Sequence, residues 1–563
     1  MALLSIAPVK QELLARERQW AGKARRVALA FVMFLGTVVR FWGIDHDLPF
    51  IYDPDEPSFV AGALRMLHEH SLNPGWFGHP ASTTMDLLAA TYTAVYGVGR
   101  LSGRFHGPQD FRTLYHSDPT VFFLSGRILS AVFGVGMIWL VYQIGRRVFS
   151  VRVGLLSALV VAMCPFLVVW SKNVRGDVQM SVFVLAAFWF SLDVLERGDL
   201  KAYLLAGLFT GLATVTKYPA VIVALVVFAA HLMRRREGRR EHLKLGASAA
   251  SGVIGAFAAA PFLFLRFRQV LADVAHEARS SHLSHTGQGL LSNLAWYCTE
   301  ALPAALTVPG VLLAAAGTVI CLREVRKDRR LVALFPIAFL VFISALSLRW
   351  ERWAVPSIPF LAMTLSVPII GLLMDDGRSP RKGVGRLLLG SALAAWIVGT
   401  FSVQAIRDGV ERASESTQTV ARKWTIANVP KGSRIVLERH CPQFPKDMFT
   451  LFVVDEVSLV EFSQGDEHAR NSRPPGGNIG RLKRLRSLED EGVQYMVLSD
   501  WYDRFVEEGV GQQGVVATYE RLMHAGKLLC EVKPERGRRS GPSVRIYQFD
   551  SRALRSLASG DAQ

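Results

Sequence analysis

The chain has 563 residues, half of them hydrophobic, with a formal charge of +17 and a mean hydropathy of +0.26. A bilayer crossing needs about 20 consecutive apolar residues. Such stretches recur about a dozen times over roughly the first 400 positions, which excludes a soluble globular enzyme and a single-anchor protein. The basic excess lies in short runs between apolar segments, such as Arg234–Arg240 and Arg323–Arg330, the pattern of cytoplasmic loops. No aromatic-basic platform accompanies it, so nucleic acid is not an expected partner.

Met1–Arg26 is polar and basic, and no small-residue cleavage site follows the first apolar run. Val27–Ile44 therefore reads as an uncleaved span with residues 1–26 as a cytoplasmic segment. The further expected spans are 84–101, 120–144, 153–170, 177–195, 201–216, 218–233, 245–265, 301–321, 331–348, 353–374 and 385–404. Lys217-Tyr218-Pro219 divides one long apolar run in two, because proline pushes the preceding residue out of the helical region. The basic loops at 234–240, 323–330 and 378–386 should face the cytoplasm. Loop 266–300 and everything after about 405 then lie outside, as does loop 44–83. Opposite-sided termini require an odd number of spans. Twelve runs are visible, so 12–13 spans are expected, with one crossing before residue 230 miscounted. The cluster Arg146–Arg152 is where alternation and charge conflict.

Within loop 44–83, Ser58–Ser71 has helical spacing and suits a short helix at the membrane surface. The composition turns polar from 405 to 563. Arg412–Asn428 is amphipathic, and Arg434–Leu437, Tyr495–Leu498 and Val544–Phe549 are β-rich. The expected architecture is a mainly α polytopic bundle over 27–404 with a C-terminal extracytoplasmic α/β domain. Cys441 and Cys530 share that domain and would be free to pair in an oxidising compartment.

The sharpest chemical feature is Tyr52-Asp53-Pro54-Asp55-Glu56-Pro57, three carboxylates in four residues stiffened by two prolines. It suits a general base or metal ligand at the membrane surface. It equally suits a solvated turn whose Asp55 or Glu56 stabilises the next helix. His79-Pro80 closes the same loop. Arg127 interrupts an apolar run, as do Ser171–Asp177, with Arg175 and Asp177, and Lys217, while Arg352 opens a span. Ionisable groups at such positions are costly and usually face a polar cavity. Together with external acids they suit an anionic headgroup held beside a carboxylate. Asp273-x-x-His276-Glu277 and His282-x-x-His285 have metal-ligand spacing, although a solvated loop explains them as well.

The ordered set of Asp-Glu loop, His-Pro, membrane Arg, Arg-x-Asp, Thr-Lys-Tyr-Pro and Arg-Trp-x-x-Pro-x-x-Pro resembles the GT-C superfamily of membrane glycosyltransferases. The resemblance is to the branch holding protein O-mannosyltransferases and the lipid A aminoarabinose transferase, and covers about the first 375 residues. It implies an inverting transferase in a bacterial inner or plasma membrane, using a polyprenyl-phosphate-linked sugar donor and a lipid, glycan or protein acceptor. Asp55 would be the catalytic base and Glu56 its support, or a ligand to a divalent metal. Asp53, His79, Arg127, Arg175, Asp177, Lys217 and Arg352 would bind substrate. The aminoarabinose enzyme has a basic residue contacting donor phosphate just before its second span, where this chain has His79. It has Arg two residues after the Asp-Glu pair, where this chain has Ser58. Both departures weigh against aminoarabinose transfer to lipid A and leave the sugar open. The competing class is a transporter or lipid flippase. No inverted repeat is visible in the sequence, and the acids lie in a loop rather than at mid-membrane.

Overall fold

The computed structural model describes residues 6–78, 81–234, 238–278, 282, 284–374, 380–438, 440–454, 480–481, 488–489, 491–508, 513–550 and 555. All twelve apolar runs are helical, and prolines set their breaks. Helix Val151–Met163 stops at Cys164-Pro165, helix Arg239–Ala259 at Ala260-Pro261, and helix Leu200–Thr216 at an extended Lys217. Four described helices are by themselves long and apolar enough to cross a membrane, or five if the pair Leu290–Leu306 and Val308–Arg323, bent by 111°, is one span. The bend falls at Thr307, whose φ is 63°.

The loops at one end of the bundle are tied together by basic side chains. Arg147 bonds Asp193 and Glu196 at 2.7 and 2.6 Å, Arg234 donates to the carbonyl of Val194, and Lys244 to that of Gly198. Lys327 reaches the carbonyl of Met233 and Arg329 that of Val148. The cluster 146–152 thus joins the same end as Arg234, Lys327 and Arg329. The acidic turn at 53–56 lies at the opposite end.

Helix Ser82–Leu101 carries the apolar run that does not join the two ends. It starts beside Thr216, which bonds Ala81 N–H and the Thr83 hydroxyl. Its Tyr92 hydroxyl then donates to the carbonyl of Phe122, in the first turn of helix Thr120–Val148. Both of those partners belong to the acidic end, so the helix lies along that end. Traced through the described residues, the other runs pass between the ends eleven times. The region expected as loop 266–300 is also largely helical, with Phe267–Glu277 and Leu290–Trp296.

The bundle core runs through Val141, Phe188, Phe335 and Phe360, all fully buried. One close helix contact uses small residues. A Cβ on Gly207 or Gly211 would lie 1.9 or 2.1 Å from the carbonyls of Ser248 and Gly252, so these helices meet backbone to backbone.

Helix Pro380–Ala413 runs past position 405 into the C-terminal region. A break at Ser414–Ser416 precedes helix Thr417–Asn428 within the stretch expected as one amphipathic helix. Six strands follow among the described residues: β1 (Arg434–Glu438), β2 (Thr450–Val454), β3 (Gly480–Arg481), β4 (Tyr495–Leu498), β5 (Lys527–Val532) and β6 (Val544–Gln548). Their order is β3-β2-β1-β4-β6-β5, parallel from β3 to β4 and antiparallel at β6 and β5. Alternation along β1 sends Val436 to the face covered by Trp501, Phe505 and Tyr519. It sends Ile435 and Leu437 to the face covered by Ala421 and Trp424. Helices on both faces explain why the central strands read as continuous apolar runs. Cys441 and Cys530 are both free thiols, and Cys441 donates to the carbonyl of Val497.

Candidate active site

Asp53 organises the acidic turn. Its Oδ1 accepts from the backbone N–H of Asp55 at 2.9 Å and of Glu56 at 3.4 Å, so Asp53 starts helix Glu56–His68. Asp55 occupies the N-cap position but makes no side-chain cap hydrogen bond. Pro57 sits in the first turn, where its missing N–H costs nothing.

The three carboxylates separate sharply. Glu56 is fully buried on Arg127, with contacts of 3.0 and 2.8 Å, and also accepts from Val174 N–H at 2.8 Å. Arg127 further donates to the carbonyls of Ile44 and His46 at 3.1 and 2.8 Å. This pair ties the loop to the bundle, and neither residue lines the cavity. Asp53 takes both ends of a fork from Arg175 Nη2, at 2.8 and 3.0 Å, and a bond from Asn173 at 2.8 Å. Burial alone would raise the Asp53 carboxyl, but the Arg175 guanidinium outweighs it and holds the pKa below the ordinary carboxylate value. Asp55 is the most exposed of the three, at 31%. Its Oδ2 receives Arg175 Nη1 and Arg352 Nη1, the latter at 2.8 Å.

Each arginine is positioned by an aromatic ring. Arg175 lies over Trp170 at 5.2 Å and Arg352 over Trp350 at 4.5 Å. Trp350 is stacked in turn on His285 at 3.5 Å. The His285 backbone bonds Arg349, so the chain around 285 is laid against 347–349. Arg175 and Arg352 each keep a buried Nε with no protein acceptor, which leaves both guanidiniums capacity for an anion. Lys217 pairs with Asp177 immediately behind them.

Asp53, Asp55, Arg175, Lys217 and Arg352 line one cavity of about 1060 Å³. Asp177 lies against Asp55, Arg175 and Arg352 in a small adjoining recess. His79 lies outside the described residues. Helix Phe267–Glu277 closes the near wall: its Asp273 accepts from Phe77 N–H at 2.9 Å and Gln269 donates to the Gly75 carbonyl at 3.0 Å. Asp273 is thus used as a loop anchor, and the His285 ring as a stacking face. No cluster of three or more His, Cys, Asp or Glu suited to a metal occurs among the described residues. Between Asp53 and Asp55 the bridging charge is Arg175 itself, so these residues do not fit a divalent cation.

The C-terminal domain supplies the roof, which the motif reading missed. His440, Asp500, Trp501 and Arg504 line the same cavity. The signal was available, since His440 and Asp500 follow two of the β-rich runs, and parallel strands carry their sites at the carboxyl ends. The domain is seated on the acidic loop through Asp47, which accepts from Ser416 and Thr419 at 2.6 and 2.9 Å. Arg412 joins the seat by contacting His46 at 2.8 Å. Burial and the cations Arg412 and Arg127 push the His46 imidazole well below its ordinary pKa, so it is neutral there.

Residues 122–264, about a quarter of the chain, match the family model described as dolichyl-phosphate-mannose-protein mannosyltransferase. The matched segment carries Arg127, Arg175, Asp177 and Lys217. The crystal structure of ArnT from Cupriavidus metallidurans in the apo state is similar over 96% of this chain and 99% of that one, at 16% identity and a TM-score of 0.54. The chain shares the fold of that ArnT structure, and its match to the mannosyltransferase family model is confined to residues 122–264. ArnT from the same organism bound to undecaprenyl phosphate aligns over 94% of this chain and 98% of that one, at 15% identity and a TM-score of 0.49. The apo oligosaccharyltransferase of Archaeoglobus fulgidus aligns over 88% and 72%, at 13% identity and a TM-score of 0.48. No curated protein sequence matches the chain significantly.

Proposed function

We propose that this protein is a GT-C glycosyltransferase that moves a sugar from a polyprenyl-phosphate-linked donor to an acceptor hydroxyl, with inversion and with Asp55 as general base. One observation carries the reading. Asp55 combines the greatest exposure of the three acids with a place in the cavity wall, where two guanidiniums converge on it. The family description names a dolichyl-phosphate sugar, and such a donor brings an anionic phosphate and an anomeric carbon together.

The donor phosphate competes with Asp55 for Arg352 and Arg175, whose Nε groups have no other acceptor. Donor binding thereby releases the Asp55 carboxylate at the same moment that it places the leaving group on the arginines. The acceptor hydroxyl then gives its proton to Asp55 as its oxygen bonds the anomeric carbon from the face opposite the phosphate. The carbon–oxygen bond to phosphate breaks, and its electron pair departs with polyprenyl phosphate. Arg352, Arg175 and Lys217 stabilise that charge, so no strong general acid is needed. Asp53 positions Arg175, and Glu56 with Arg127 hold the turn. The basic loops at the far end of the bundle support a cytoplasmic face there, with the cavity and the C-terminal domain on the extracytoplasmic side.

The decisive assay is transfer, or donor hydrolysis, from a panel of radiolabelled polyprenyl-phosphate sugars, wild type beside Asp55→Asn. Loss of a general base costs on the order of 100-fold to 10,000-fold in kcat. Donor binding should survive the substitution. Equal turnover by both proteins would remove Asp55 from the chemistry, and donor translocation without transfer would favour a flippase.

A further inference from the structure

We propose that the carboxyl ends of β1 and β4 form an acceptor subsite for a saccharide, in the roof of the cavity and facing Asp55. The inference rests on the transfer reading for its role, though not for its existence as a binding site. The chain leaves β1 outward to β2 and β3, then returns to place β4 on the other side of β1. Strand order reverses between β1 and β4, and crevices at such points are where open α/β sheets bind ligands.

The side chains that emerge there are held rigidly. Glu438, the last residue of β1, is fully buried and accepts from Ser499 N–H and Oγ at 2.6 and 2.9 Å and from Tyr519. This closes the base of the crevice. Above it, His440 has φ +70° and its carbonyl accepts from Gln418 at 2.8 Å. A non-glycine residue held in the left-handed region marks a position set by its surroundings. Asp500 is gripped by Arg504 at 2.8 and 2.7 Å and approached by His440 Nδ1 at 3.5 Å. His440, Asp500, Arg504 and Trp501 line the cavity that also contains Asp55 and Arg352.

The chemistry of this set selects its ligand. A carboxylate and a guanidinium in fixed register offer paired acceptors and donors, which match the neighbouring hydroxyls of a sugar ring. Trp501, 4% exposed and packed in the core of the domain, backs this wall from beneath. A peptide acceptor would call for a strand edge or extended backbone partner. The sheet's edges, β3 and β5, lie outside the crevice. A saccharide seated on Asp500 and Arg504 would direct a hydroxyl across the cavity toward Asp55.

The test is equilibrium binding to the purified full chain in lipid nanodiscs, followed by saturation-transfer NMR and tryptophan fluorescence. The probes are methyl glycosides of hexoses, their short oligosaccharides, and a Ser/Thr-rich peptide. We expect a saccharide to bind wild type, and Asp500→Asn and Arg504→Gln to weaken it about tenfold each, which corresponds to about 1.4 kcal/mol. Arg504 is partly exposed, so Arg504→Gln decides the matter if Asp500→Asn fails to fold. Binding of the peptide alone, binding of no saccharide, or saccharide affinity indifferent to both substitutions would each overturn the inference. Because binding needs no turnover, a failed transfer assay with intact saccharide binding would instead count against the role of Asp55.

Discussion

Three adjacent acids share one turn and have three different fates. Glu56 lies at zero exposure on Arg127, Asp53 caps a helix and grips Arg175, and Asp55 faces the cavity. Their separation follows from the helix start, which turns position 56 inward while 53 and 55 remain at the rim. Removing one partner of a buried ion pair leaves an uncompensated charge and costs about 3–5 kcal/mol. Glu56→Gln should therefore lower the melting temperature of the purified protein strongly while reducing kcat far less than Asp55→Asn does. A thermal melt beside a transfer assay separates the two, and the reverse ranking would give Glu56 a chemical role. The acidic turn and its basic partners were legible in the sequence as ionisable interruptions of apolar runs. Which carboxylate meets which guanidinium was not, because Glu56 and Arg127 lie 71 positions apart and Asp55 and Arg352 lie 297 apart.

At the scale of elements, two contacts carry predictions. Helices Leu200–Thr216 and Arg239–Ala259 touch through Gly207, Gly211 and Gly252. Gly211→Leu puts a side chain where the Gly252 carbonyl sits, so the helices must part and little folded protein should be recovered. Gly246, on the helix of Gly252 with open space around it, should accept Ala with no loss. Comparing their yields by size-exclusion chromatography checks the contact. The second contact joins β1 to β4. Burial pushes the Glu438 carboxyl up to about 7 despite its hydrogen bonds from Tyr519 and Ser499. The folded state thus holds a proton that the unfolded chain releases near its ordinary value of 4.5. The stability this adds is complete below about pH 4.5 and is lost as pH rises through about 7, an effect of about 3 kcal/mol. Melting temperatures measured from pH 5 to 8 should fall for wild type and change less for Glu438→Gln. The strands at 434, 495 and 544 were legible because they are buried on both faces. Strand β5 escaped notice because it is an edge, largely exposed and without a clean alternation.

For the whole molecule, the cavity is a composite of bundle, loops and roof. Asp47 is the pivot, accepting from both Ser416 and Thr419 where the C-terminal domain meets the acidic loop. Asp47→Ala should loosen the roof, slow transfer to acceptor more than donor hydrolysis, and speed proteolytic cleavage near the break at Ser414–Ser416. Unchanged cleavage would show that other contacts suffice to seat the domain. Apolar run length, proline breaks and loop charge, all local properties, were enough to establish a polytopic helical membrane protein with a small α/β domain. They also placed the acids, the arginines and the lysine in one ordered set that resembles a glycosyltransferase. Tertiary structure decided what local properties leave degenerate. Helix Ser82–Leu101 is as long as a span, and only the partners of Thr83 and of mid-helix Tyr92 show that it lies along the cavity side. The roof residues His440 and Asp500 carry no motif, and only the strand order brings them over Asp55. Hydropathy reports how a segment meets its solvent, whereas a site depends on which distant segments meet one another.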